Sequence, residues 1–249
     1  MSPSADRPTL VLLHGFLGSA GDWQPVLPAL EQHFHCLALD LPGHGDNRCP
    51  LTQGPGFDEV CIHLESQLPQ APFHLLGYSL GGRIALHLAR RHPERLLSLT
   101  LESAHPGLTQ ESDRAQRRQA DGQWQQLLQQ HPLSDFLERW YRQPVFASLS
   151  HQARKKMIEA RLGNDASALS SLYTNTGLGW QQDLRPAVAE LTVPVHYLCG
   201  REDSKFVALG REMDSLGLLT SLHSFPCGHN VHRACPAAFA DTLIQTLIP

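Results

Sequence analysis

The chain has 249 residues, 41% of them apolar and 18% charged, with a formal net charge of −4. That length supports one large domain with a sizeable core, and without a long block of one charge neither nucleic acid nor an anionic membrane is indicated as a partner. No stretch approaches the roughly 18 apolar residues of a membrane span, and the first apolar run, residues 10–13, is too short for a secretory signal core. The six cysteines are scattered without a C-x-x-C, which reads as reduced thiols in a cytoplasmic protein. The fifteen histidines are dispersed, with no H-E-x-x-H and no zinc spacing, so no metal is expected.

In chain order, an apolar run at 9–13 leads into His14-Gly15-Phe16, and one at 36–39 into Asp40-Leu-Pro-Gly-His-Gly45. A third, at 73–76, leads into Gly77. Short apolar runs that end in turn residues read as buried parallel strands. Residues 79–92 place Leu80, Ile84, Leu88 and Arg91 at helical spacing. A strand pattern at 96–101 then leads into Glu102-Ser103. The alternation breaks here. Four helical patterns follow, at 111–130, 134–141, 151–162 and 166–173, before strand patterns return at 193–198 and 218–225 and a helix at 236–247. The pattern predicts an α/β fold: a mostly parallel sheet with helices on both faces, its core formed by residues 1–104 and 186–249. Residues 105–185 read as a helical cap over the sheet's C-terminal edge, where open α/β sheets bind ligands.

Gly77-Tyr78-Ser79-Leu80-Gly81 is a G-x-S-x-G motif placed between a strand and a helix. That context makes a tight turn from which the serine projects, with the helix N-terminus adding partial positive charge beside its hydroxyl. A serine needs a histidine to take its proton and an acid to orient that histidine. Asp203 and His229 follow the two last strands, in the chain order Ser, acid, His, so both fall on the edge that carries Ser79. Glu202 and His232 are the alternatives for acid and base. The backbone N–H groups of Phe16 and Leu80 are candidates to hold a developing oxyanion or enolate. Arg83, one helical turn past Ser79, lies near the pocket floor and needs an anionic partner, either a substrate carboxylate or an internal acid. The cap carries ten Lys and Arg against eight Asp and Glu, and the remainder ten against sixteen. A basic lid on an acidic body suits an anionic small molecule.

The landmarks H-G-F at 14–16, D-L-P-G-H-G at 40–45, G-Y-S-L-G-G at 77–82, G-x-x-D at 200–203 and G-H at 228–229 resemble the α/β-hydrolase superfamily over almost the whole chain. The first strand begins so early that one or two leading strands of that fold are expected to be missing. More particular are residues 77–83, His105-Pro-Gly-Leu108, 140–149, 198–206 and Gly228-His-Asn-Val-His-Arg233. These resemble the menaquinone-biosynthesis family of 2-succinyl-6-hydroxy-2,4-cyclohexadiene-1-carboxylate (SHCHC) synthases, with Ala234-Cys235 as one departure outside the triad. The resemblance implies a lyase with no metal and no cofactor, acting on a small tricarboxylate as a monomer or weak homo-oligomer. It also implies Arg117, Arg161, Trp140 and Tyr78 as further substrate-binding residues beside Arg83. A serine hydrolase acting on a small anionic ester, thioester or diketone is the alternative that the same triad permits.

Overall fold

The computed structural model describes residues 7–49, 51–52, 54 and 56–248. Among them, six strands form one sheet: β1 Thr9–Leu13, β2 His35–Leu39, β3 Phe73–Tyr78, β4 Leu96–Glu102, β5 Val195–Gly200 and β6 Ser221–Phe225. All pairings are parallel, in the order β2-β1-β3-β4-β5-β6. All six C-terminal ends therefore share one edge. The winding direction reverses between β1 and β3, so the loops leaving these two strands diverge and open a crevice there.

Alternation along β1 shows how the sheet is covered. Val11 and Leu13 join one apolar cluster, Leu10 and Leu12 the other, and all four are fully buried. Successive strand side chains point to opposite faces, and helices on both sides bury the inner strands, while the edge strands β2 and β6 stay partly exposed. Helix α1 (Leu27–Leu30) packs on the second face. Helices α2 (Asp58–Glu65) and α3 (Leu80–Arg91) pack on the first.

Among the described residues, five α-helices lie between β4 and β5, the first four being α4 (Glu111–Gln130), α5 (Leu133–Trp140), α6 (His151–Glu159) and α7 (Ala166–Asn175). These four share an apolar cluster of their own, built on Leu128, Phe136, Leu137, Tyr141, Met157, Ile158 and Leu169. Leu17, from the loop after β1, is the core residue inserted into that cluster. The short helix α8 (Arg185–Ala189) leads back to the sheet. Helix α9 (Ser204–Ser215) covers its first face, and α10 (Val231–Ala234) and α11 (Pro236–Leu247) cover the second. No helix of the described residues is long and apolar enough to cross a membrane.

Two strands start later than their apolar runs. The run at 193–198 contains Pro194, which has no N–H to give to a ladder, and β5 begins at Val195. Leu218 and Leu219 precede β6 because the chain there is still closing α9. Gly217 at φ +70° donates to the carbonyl of Asp214, and Leu218 to that of Met213, the paired bonds of a Schellman cap.

Candidate active site

Ser79 sits between β3 and α3 at φ +51°, ψ −107°, a conformation that a non-glycine residue holds only when its surroundings impose it. Close packing imposes it here. A Cβ on Gly77 would stand 2.4 Å from the carbonyl oxygen of Gly81, and one on Gly81 2.2 Å from that of Leu13. Only glycines let strand, helix and the end of β1 meet so closely. The same approach brings the turn after β1 beside the serine: a Cβ on Gly15 would lie 3.6 Å from the Cβ of Ser79. Leu80, the first residue of α3, has a backbone N–H with no partner inside its own helix. Leu80 thus adjoins Ser79, and Phe16 follows the glycine that packs against it.

His229 Nε2 lies 3.1 Å from Ser79 Oγ, and His229 Nδ1 lies 2.6 Å from Asp203 Oδ2. Asp203, just after β5, and His229, just after β6, are both buried. The two alternatives are engaged elsewhere. Glu202 is exposed. His232 turns away from Ser79, and its Nδ1 lies 2.7 Å from Oε2 of Glu102.

Ser79 and His229 open into a cleft of about 340 Å³ that is lined in part by residues from the helical stretch between β4 and β5. Among the sequence candidates, Arg83, Arg117 and Trp140 line it. Arg83 donates to Gln181 Oε1 at 2.8 Å and to the carbonyl of Thr176, and its guanidinium lies 5.2 Å over the Phe57 ring. No carboxylate pairs with it among the described residues. Burial, reinforced by the charge of Arg117, pushes its pKa down to about 9. Arg117 is pulled the other way: burial disfavours its charge, but Asp121, 2.7 Å from its Nε, and Tyr173 together more than offset that.

Lys205 also lines the cleft, and residue patterns alone did not single it out. Its pKa is lowered by burial and then by Arg117. The available signal was its place two residues after Asp203, at the same sheet edge. His105, in the same wall, is pushed down to about 3 by burial and by Lys205. Three cations therefore converge beside Ser79, with the carboxylates of Asp121 and Asp203 against them. Such a site attracts a polyanion, because each added carboxylate relieves the mutual repulsion of the side chains.

Tyr78 and Arg161 lie outside the cleft lining. The Tyr78 ring packs 5.3 Å from the ring of His229, behind the triad. Arg161 is buried, with its guanidinium 2.5 Å from Asp22 Oδ2. Asp22 also accepts from Arg233 at 2.9 Å, so one core carboxylate ties a cap arginine to the segment that carries His229. Among the described residues, no cluster of three or more His, Cys, Asp or Glu could hold a metal ion.

Residues 8–232 match the family model described as the alpha/beta hydrolase fold. The 2-succinyl-6-hydroxy-2,4-cyclohexadiene-1-carboxylate synthase of Salmonella heidelberg (strain SL476) is 42% identical over 246 residues, spanning 96% of this chain and 94% of the relative. The synthase of the same name from Salmonella typhimurium (strain LT2) is 41% identical over the same shares. Among solved structures, MenH from S. aureus superposes with a TM-score of 0.89 at 27% identity, covering 97% of this chain and 94% of that one. The enol-lactonase of Burkholderia xenovorans LB400, at 18% identity and a TM-score of 0.77 over 100% and 94% of the two chains, shares the fold. By the family model the chain belongs to the alpha/beta hydrolase fold family, and by its relatives to the SHCHC synthase family within it.

Proposed function

We propose that this protein is a carbon–oxygen lyase of menaquinone biosynthesis. It eliminates pyruvate from 2-succinyl-5-enolpyruvyl-6-hydroxy-3-cyclohexene-1-carboxylate to leave 2-succinyl-6-hydroxy-2,4-cyclohexadiene-1-carboxylate. The identity to the named synthases over nearly the whole chain supports this activity. The observation that carries the residue assignment is the Asp203–His229–Ser79 chain opening into a cleft lined by Arg83, Arg117 and Lys205.

In the proposed mechanism, His229, oriented by Asp203, takes the proton of Ser79, and the Ser79 oxygen acts as the base. It removes the proton from the ring carbon that bears the succinyl ketone. The electron pair moves onto the ketone oxygen, where the N–H groups of Phe16 and Leu80 hold the charge. The pair then returns through the ring double bond and expels enolpyruvate, whose methylene carbon gains a proton to give pyruvate. No acyl-enzyme forms. Arg83, Arg117 and Lys205 hold the substrate carboxylates, with Trp140 as an apolar wall. Tyr78 supports His229 from behind. Residues 105–185 act as the cap that closes this site. Arg161 serves the substrate by fixing that cap through Asp22, or as a ligand if the cap shifts on binding.

The test is a coupled assay in which the enolpyruvyl precursor is generated enzymatically. Pyruvate release is followed with lactate dehydrogenase while the diene absorbance appears. Stoichiometric pyruvate and diene, lost in Ser79→Ala, support the reading. No pyruvate alongside brisk turnover of p-nitrophenyl esters returns the protein to the serine hydrolases.

A further inference from the structure

Glu102, the last residue of β4, is fully buried, and no lysine or arginine pairs with it among the described residues. Burying a carboxylate costs several kcal/mol unless its oxygens are well hydrogen-bonded. Its donors all come from one segment, the one just past His229. Oε1 accepts the backbone N–H of Val231 at 2.6 Å and of His232 at 3.1 Å. Oε2 takes the ring N–H of His232, at Nδ1, at 2.7 Å. The His232 ring is itself held between Trp23, with centroids 4.2 Å apart, and the edge of Tyr78 at 5.0 Å.

The main chain of Glu102 has a second attachment. Its carbonyl accepts the backbone N–H of Ser79 at 2.8 Å, extending the β3–β4 ladder by one rung. One strand end thus grips both partners of the 3.1 Å Ser79–His229 contact. Its backbone fixes the serine, and its side chain fixes residues 231 and 232, two and three beyond the histidine. Asp203 holds the imidazole at Nδ1 but does not hold the main chain that carries it. A leucine at position 102 would fill similar space. It would also leave two backbone N–H groups and one ring N–H without an acceptor, and the His229 segment without its tie to β4.

We propose that Glu102, with His232 as its partner, is a positioning residue that sets the reach of His229 to Ser79 and so governs kcat. This rests on the triad assignment made above. Glu102 lies outside the cleft lining, so its loss lowers kcat while KM stays nearly constant.

The experiment compares Glu102→Leu, Glu102→Gln, His232→Leu, His232→Asn and Ser79→Ala in the coupled pyruvate assay, with rates taken per folded protein and melting curves recorded in parallel. Glutamine keeps an acceptor for the two backbone N–H groups, and asparagine keeps a donor where His232 Nδ1 stands. The expected result is a kcat loss of about 100-fold in Glu102→Leu and about 10-fold or more in His232→Leu. Losses stay under 10-fold in Glu102→Gln and under 3-fold in His232→Asn, and KM stays within about 3-fold throughout. Each tenfold step corresponds to about 1.4 kcal/mol in the barrier. If Glu102→Leu does not fold, the His232 pair decides. Equal kcat across the leucine variants and the natural protein overturns the proposal, as does equal loss in the leucine variants and their conservative counterparts. If Ser79→Ala retains full activity, the triad assignment has failed instead.

Discussion

Arg83→Met separates a substrate ligand from a structural cation. Methionine keeps an unbranched apolar stem beside Phe57 and removes only the guanidinium. Two protein hydrogen bonds disappear, to Gln181 Oε1 and to the Thr176 carbonyl. At about 1.5–3 kcal/mol for each bond from a charged donor, that loss is about 3–6 kcal/mol. Against it stands relief from burying a cation that no carboxylate pairs directly, also several kcal/mol. The two effects nearly cancel, so the fold changes by no more than about 2 kcal/mol, a few degrees in Tm for a chain of this size. Activity has no such compensation. A carboxylate held by a guanidinium fork contributes about 3 kcal/mol, so kcat/KM falls about 100-fold. Arg83→Lys keeps the charge without the fork and should fall about 10-fold. The assay is pyruvate release under kcat/KM conditions, with calorimetry alongside. A kcat/KM within 3-fold of the natural protein in Arg83→Met would refute a substrate-binding role. A Tm drop beyond about 10 °C would show that the arginine serves the fold instead.

Three further outcomes follow from the same geometry. Asp203→Asn presents an amide N–H to His229 Nδ1, which drives the ring proton to Nε2 and blocks proton transfer from Ser79; kcat should fall roughly 10³–10⁴-fold with little change in Tm, and a loss under 10-fold would count against Asp203 as the orienting acid. Asp22→Asn leaves the buried Arg161 without its counter-charge, at a cost of about 3–5 kcal/mol, so Tm should drop by roughly 6–20 °C; an unchanged melt would show that this pair does not fasten the cap. His44, His87 and His105 have pKa values pushed down to about 3, chiefly by burial, so each is neutral when folded and takes a proton when unfolded in weak acid. Stability from these groups is present above about pH 6.5, the unfolded value, and is lost as pH falls toward 3. The slope reaches on the order of 4 kcal/mol per pH unit for three protons, and a Tm equal at pH 7.5 and pH 5.0 would contradict it.

The imidazoles of His14 and His44 illustrate what the residue order leaves open. The sequence places both in turns after strands, inside H-G-F and G-H-G. Only the fold reveals that they interlock. His14 Nε2 accepts the N–H of Leu41, His44 Nε2 accepts that of Leu17, and the two rings lie 5.2 Å apart. Each joins the loop after one strand to the loop after its neighbour, a pairing set by β1 lying beside β2 in the sheet.

The strands and the helix after Ser79 were legible because they rest on local physics, whereas helices α2 and α9, whose burial depends on the sheet they pack against, were not singled out. Short apolar runs closed by turn residues read as buried parallel strands, and the six strands overlap the six runs, although β6 (Ser221–Phe225) keeps only the more polar end of its run. The strained Ser79 elbow was legible for the same reason: its glycines exclude other arrangements. The order Ser79, Asp203, His229 then points to the proposed triad, because each follows a strand and parallel strands end on one edge. What the cap arginines face was beyond reach. Arg117 and Arg161 are alike in sequence terms, cations on amphipathic helical stretches. One lines the cleft beside Asp121, and the other is committed to Asp22, distant by 139 residues in the chain. Lys205 and Glu102 depend on packing in the same way. A side chain's partner across the fold is fixed by where its backbone is set down, and that follows from the packing of the whole sheet and cap, not from the neighbours of the residue along the chain.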